Sequence, residues 1–82
     1  MLMMSGVAQL DLHGKTREQA RTAIDAMLRR AGRSVYRIRL IHGSTRGTAL
    51  RDLIESDYAS HPRVLRLEQP NPGATELVLR EY

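Results

Sequence analysis

Two pentapeptides of this chain nearly match: His13-Gly14-Lys15-Thr16-Arg17 and His42-Gly43-Ser44-Thr45-Arg46. Each joins an imidazole, whose ordinary pKa of about 6.5 lets it take or give a proton near neutrality, to a glycine that lets backbone approach a ligand, a hydroxyl residue and an arginine. Asp11 stands two residues before His13, placed to orient its ring. This set suits a phosphodiester. His13 and His42 are the candidate base and acid, with Asp11 orienting His13. The candidate phosphate contacts are Gly14, Lys15 and Arg17 at the first corner and Gly43, Ser44, Thr45, Arg46 and Gly47 at the second. For a single corner the plainer reading is a turn glycine, a capping threonine and a structural histidine. Two matching corners at the ends of neighbouring strands bring the functional reading level with the plainer one.

Other chemistry fits less well. Gly14-Lys15-Thr16 imitates the end of a P-loop, but that motif needs a glycine five residues earlier, where Gln9 stands, so no nucleotide cofactor is expected. A zinc site from Asp11, His13 and His42 is the weaker use of those residues, and no second carboxylate lies near enough in sequence for a two-metal clamp. No metal or other cofactor is expected. His61 reads as a helix-end residue.

The corners need strands before them and helices after. VAQLDLHG alternates apolar Val7 or Ala8, Leu10 and Leu12 with polar Gln9, Asp11 and His13, the pattern of a strand. Thr16, three residues before Gln19, forms a capping box, and Ala20, Ala23, Ile24, Met27, Leu28 and Ala31 recur at helical spacing, predicting a helix over about 17–31. VYRIRLIHG is a second strand with Tyr36, Ile38 and Leu40 on one face and Arg37 and Arg39 on the other. A second helix carries Leu50, Leu53 and Ile54 and ends before His61-Pro62. RVLRLEQ and ATELVLREY read as two strands joined by the PNPG turn. The expected fold is an α+β two-layer sandwich, β-α-β-α-β-β, with a four-stranded mixed sheet and both helices on one face. A right-handed crossover makes the first two strands parallel, so both corners reach the same sheet edge. The other face is left open, and its Arg37 and Arg39 join the candidate nucleic-acid contacts.

The 82 residues suffice for one modest core and a shallow site. Net charge is +4, and of thirteen basic residues only Lys15 is lysine; arginine's planar fork suits phosphate. Cysteine is absent, and no apolar run approaches the roughly 18 residues of a membrane span. A cytoplasmic protein without a membrane partner is expected.

The residues LDLHG at 10–14, IHG at 41–43, and the later HPRV and PNPGATEL resemble the small MutS-related (Smr) domain, over about 9–82, with 1–8 as an N-terminal extension. The resemblance implies a β-α-β-α-β-β sandwich similar to the C-terminal domain of a bacterial translation initiation factor. It also implies nucleic-acid binding, endonuclease activity on DNA or RNA, and partners such as a ribosome or a repair complex. It puts the family's first motif on Asp11 and His13 and its second on His42 and Gly43. That second motif usually reads His-Gly-x-Gly or Thr-Gly-x-Gly; here Thr45 takes the place of its second glycine and the next glycine is Gly47.

RNA is the expected substrate. It carries its own 2′-OH nucleophile and needs only a base, an acid and charge stabilisation, whereas DNA hydrolysis requires an activated water. The rival readings are a nucleic-acid-binding module without catalysis and a domain whose basic surface meets an acidic protein. Only three aromatic residues, Tyr36, Tyr58 and Tyr82, are available, which favours backbone recognition over base stacking.

Overall fold

The computed structural model describes residues 6–43 and 48–81, together with the backbone of residues 2–4. Strand β1 is Leu2–Met4 and β2 is Val7–Asp11; helix α1 is Arg17–Arg30; β3 is Arg37–Ile41; α2 is Ala49–Tyr58; β4 is Arg66–Asn71 and β5 is Ala74–Val78. They form one mixed sheet in the order β1-β2-β3-β5-β4. β2 and β3 are parallel and every other pair is antiparallel.

Four of these strands and the two helices are those anticipated. The fifth comes from the N-terminal extension, where Leu2–Met4 folds back on Val7–Gln9, so residues 2–4 belong to the sheet. A three-residue strand is too short to show the alternation by which strands are recognised.

The helices form where the pattern placed them. Thr16 caps α1 by accepting the Gln19 backbone N–H at 3.1 Å, while Gln19 accepts the Thr16 backbone N–H at 2.9 Å. At the other end the Arg63 guanidinium donates to the carbonyls of Leu28 and Ala31, satisfying acceptors that the terminating helix leaves open. Polar ties join the helices: Arg21 pairs with Asp57 at 3.0 Å, and the Tyr58 hydroxyl donates to Asp25 at 2.6 Å and lies 3.4 Å from the Arg21 carbonyl. Burial, then that bond to Asp25, pushes the Tyr58 phenol well above its ordinary range. Among the described residues no helix is long and apolar enough to cross a membrane.

Alternation along the strands sorts the sheet into two faces. Ala8, Ile38, Leu40, Leu77 and Leu79 are buried against Ala20, Ile24 and Leu28 of α1 and Leu53, Ile54 and Tyr58 of α2. Gln9, Asp11, Arg37, Arg39, Glu76 and Glu68 share the face that carries no helix, as their pairing across the strands requires. Ile38, fully buried on a central strand, contributes by packing, whereas Thr16 contributes only a cap. Ile38→Ala is expected to cost about 2–5 kcal/mol in urea unfolding and Thr16→Ala about 1 kcal/mol; equal losses would mean the core is not centred on β3.

Candidate active site

In the parallel ladder Asp11 pairs with Ile41, and the ladder continues one step further through the Leu12 N–H, which donates to the Ile41 carbonyl at 2.7 Å. Leu12 then stands opposite His42, and His13 opposite Gly43. A Cβ built on Gly43 would lie 3.8 Å from that of His13. Both corners therefore meet at one sheet edge, but with their histidines one residue out of step.

That offset decides where each ring points, because successive strand residues face opposite sides of the sheet. His13 follows the phase of Asp11 and its side chain is 74% exposed. Its Nδ1 lies 3.0 Å from Asp11 Oδ1, which also accepts the His13 backbone N–H at 3.0 Å. His42 follows the phase of Leu40 and is 9% exposed. Its Nε2 lies 3.0 Å from the hydroxyl of fully buried Thr75 and its Nδ1 lies 3.0 Å from the Gly43 carbonyl. His42, expected to transfer protons beside His13, is thus buried with both nitrogens engaged.

A third segment completes the edge. In the turn between β4 and β5, Asn71 Oδ1 accepts the Gly73 N–H at 2.9 Å. The Gly73 carbonyl accepts two backbone N–H groups, from His42 at 2.9 Å and Gly43 at 3.0 Å. Gly14 and Gly43 have φ of +78° and +81°, a left-handed conformation that disfavours side chains and lets the chain leave each strand sharply.

The model of the Smr domain matches residues 10–77. The chain belongs to the Smr domain family. It is similar to the crystal structure of the Smr domain of Thermus thermophilus MutS2, at 29% identity and a TM-score of 0.79 over 90% of this chain and 99% of that one. No curated protein matches. Smr domains are nucleic-acid-binding, nuclease-type modules.

In this Smr domain the Asp11–His13 pair is electrostatically set. The His13 backbone N–H first, then its ring N–H, hold the Asp11 carboxyl below its ordinary range against the opposing effect of burial, with the charges of His13 and Lys15 contributing least. An ionised carboxylate only accepts, so Nδ1 of His13 carries the proton and the neutral ring keeps its lone pair on Nε2. A neutral His42 ring takes the same tautomer for a different reason: the Gly43 carbonyl also only accepts, so Nδ1 donates to it and Nε2 is left to accept the Thr75 hydroxyl. The three groups weighed as a metal set do not converge, and among the described residues no group of three His, Cys, Asp or Glu side chains could hold a metal ion.

The remaining candidates separate sharply. Lys15 and Arg17 are exposed at the start of α1 beside His13. Ser44, Thr45, Arg46 and Gly47 lie outside the described residues. Arg37 and Arg39, expected to face phosphate, are instead bound by carboxylates. Arg37 donates to Glu68 at 2.6 Å and Glu76 at 2.7 Å, and Arg39 donates to Glu76 at 2.8 Å. Arg66 extends the chain to Glu68 and Glu81. The arginines hold the Glu68 carboxyl below its ordinary range. Glu76, 5% exposed, neutralises the middle of this face. Thr75 and Gly73, which fix the second corner, lie in the PNPGATEL stretch but are not among the expected site residues. Their signal was the phase of Thr75, shared with Leu77, and the turn before it.

A depressed folded-state pKa means that the Asp11 bond to His13 is fully present above the ordinary carboxylate value of about 3.9 and is lost only as pH falls through the lower folded value. A carbon-13 titration of the Asp11 carboxyl should therefore show a midpoint below that value in the folded protein; a midpoint at or above it would contradict the double hydrogen bond.

Proposed function

We propose that this Smr domain is an RNA endonuclease in which Asp11 and His13 form the proton-transfer pair, with the phosphodiester held at the edge where the two His-Gly corners meet. One observation carries the reading. The ring of His13 is anchored by an ionised carboxylate at Nδ1, while Nε2, the basic nitrogen, has no protein partner among the described residues on a side chain 74% exposed. A general base needs that arrangement: a fixed ring, the correct tautomer and an open lone pair.

In this scheme Nε2 of His13 takes the proton of a ribose 2′-OH. The oxygen attacks the adjacent phosphorus as the bond to the 5′-oxygen breaks, and water protonates the leaving oxygen. The products are a 2′,3′-cyclic phosphate and a 5′-hydroxyl end. His42 is left out of proton transfer because both its nitrogens are occupied. Lys15 and Arg17 supply the positive charge beside His13, and Arg37 and Arg39 are left out because Glu68 and Glu76 already hold their guanidinium groups. RNA is favoured over DNA because it brings the nucleophile that this pair can activate.

The second reading, a binding module without catalysis, is favoured by the burial of His42, whose engaged nitrogens leave the site without a second proton-transfer side chain. End-labelled single-stranded RNA and DNA, incubated with and without chelator, separate the two. The expected result is chelator-resistant cleavage of RNA that falls on the order of 10²–10⁴-fold in His13→Ala and by less in Asp11→Asn. Each phosphate contact contributes about −0.7 to the slope of log affinity against log salt on single strands, so Lys15→Ala or Arg17→Ala should flatten it by about that amount. Binding without cleavage would establish the module instead.

A further inference from the structure

We infer that His42 is a positioning residue: with Thr75 and the Gly73 carbonyl it forms a charge-neutral latch that holds Gly43 against His13, leaving one histidine to transfer protons at this site. The inference rests on the cleavage reading for its effect on rate, but not for the latch itself.

At His42 and Gly43 both backbone N–H groups, both ring nitrogens and the Gly43 carbonyl have partners inside the domain. The backbone N–H groups of His42 and Gly43 both donate to the Gly73 carbonyl, at 2.9 and 3.0 Å. The Gly43 carbonyl accepts from Nδ1 of His42, and Nε2 accepts the hydroxyl of Thr75, which is fully buried. The neutral imidazole thus uses its one donor and its one acceptor, and no proton-transfer function is left over. Removing either partner would strand a buried polar group.

The latch adjoins the active site. Gly43 lies opposite His13, and a Cβ built there would sit 3.8 Å from the His13 Cβ, so the path of residue 43 sets the backbone beside His13. The turn is part of the same unit: a Cβ on Gly73 would lie 3.7 Å from Gly43 Cα. Among the described residues the charged groups near the latch are few. Asp11 and His13 lie across Gly43 at the end of β2, and Glu76, next to Thr75, faces the other side of the sheet with Arg37 and Arg39.

Two substitutions and one spectrum test this. Asparagine places an amide nitrogen near the position of Nδ1, so His42→Asn can keep the donor to the Gly43 carbonyl but cannot shuttle protons. Thr75→Val removes the hydroxyl that Nε2 accepts and touches no substrate. The latch predicts that His42→Asn keeps RNA cleavage within about tenfold of wild type and that Thr75→Val lowers kcat about fivefold to tenfold with KM unchanged. A loss on the order of 10²-fold or more in His42→Asn, as large as in His42→Ala, would make His42 a proton-transfer group and overturn the assignment.

The spectrum needs no variant and no activity. Long-range proton–nitrogen correlation on the wild-type protein at neutral pH should show His42 protonated at Nδ1 and bare at Nε2, the tautomer that the Gly43 carbonyl imposes. The opposite tautomer, or a doubly protonated ring, would remove the latch. If wild type cuts neither RNA nor DNA, the cleavage reading fails, and this spectrum still decides the latch.

Discussion

The parallel pairing of β2 with β3 is the constraint on which the site depends. Asp11 opposite Ile41 is a fixed register, because a one-residue slip of either strand would turn its own core residues, Ala8 and Leu10 on β2 or Ile38 and Leu40 on β3, to the open face. Once that register is set, the chain has no freedom over what meets what beyond the strand ends. Leu12 falls opposite His42 and His13 opposite Gly43. The crossover helix α1 enforces the parallel direction, and its capping box at Thr16 and Gln19 begins it three residues after His13, so the first corner is pinned from both sides.

The same register distributes charge. Arg37 and Arg39 share a face with Glu76 of β5 and, one strand further, Glu68 of β4, because the antiparallel pairing sets Arg39 against Glu76 and Glu76 against Glu68. Four charges at adjacent cross-strand positions form a chain of ion pairs, and the half-exposed ones are worth little individually to stability. Their effect on function is larger: a face that looks basic along β3 alone is close to neutral once β4 and β5 are beside it. Net positive charge is thereby left to residues such as Lys15 and Arg17 near the His-Gly edge.

Most of the fold was legible because periodicity reports burial directly. Ala20, Ile24, Met27 and Leu28 mark one stripe of α1, and Ile38 and Leu40 one face of β3, and the structure buries all of them. The short β1 was illegible for want of length. The site was legible only in part: the motif itself named Asp11, His13, His42 and Gly43 and placed them on one edge. It could not tell the two histidines apart, because their environments depend on Thr75 and Gly73, more than thirty residues later in the chain, and on the one-residue offset between strands. The charges of Arg37 and Arg39 were misjudged for the same reason, since Glu68 and Glu76 meet them only through sheet pairing.

Two copies of one pentapeptide motif therefore need not perform the same task twice. A His-Gly corner in phase with Asp11 puts its ring in solvent beside a carboxylate, where the imidazole is oriented and one nitrogen is open. A His-Gly corner one step out of phase puts its ring under the sheet edge, where the same two nitrogens are consumed in holding backbone. In this domain the glycine of the second corner, not its histidine, comes up against the first. In the proposed mechanism the paired motif becomes one proton-transfer histidine and one scaffold for it, and the alternation of a β-strand is sufficient to make the difference.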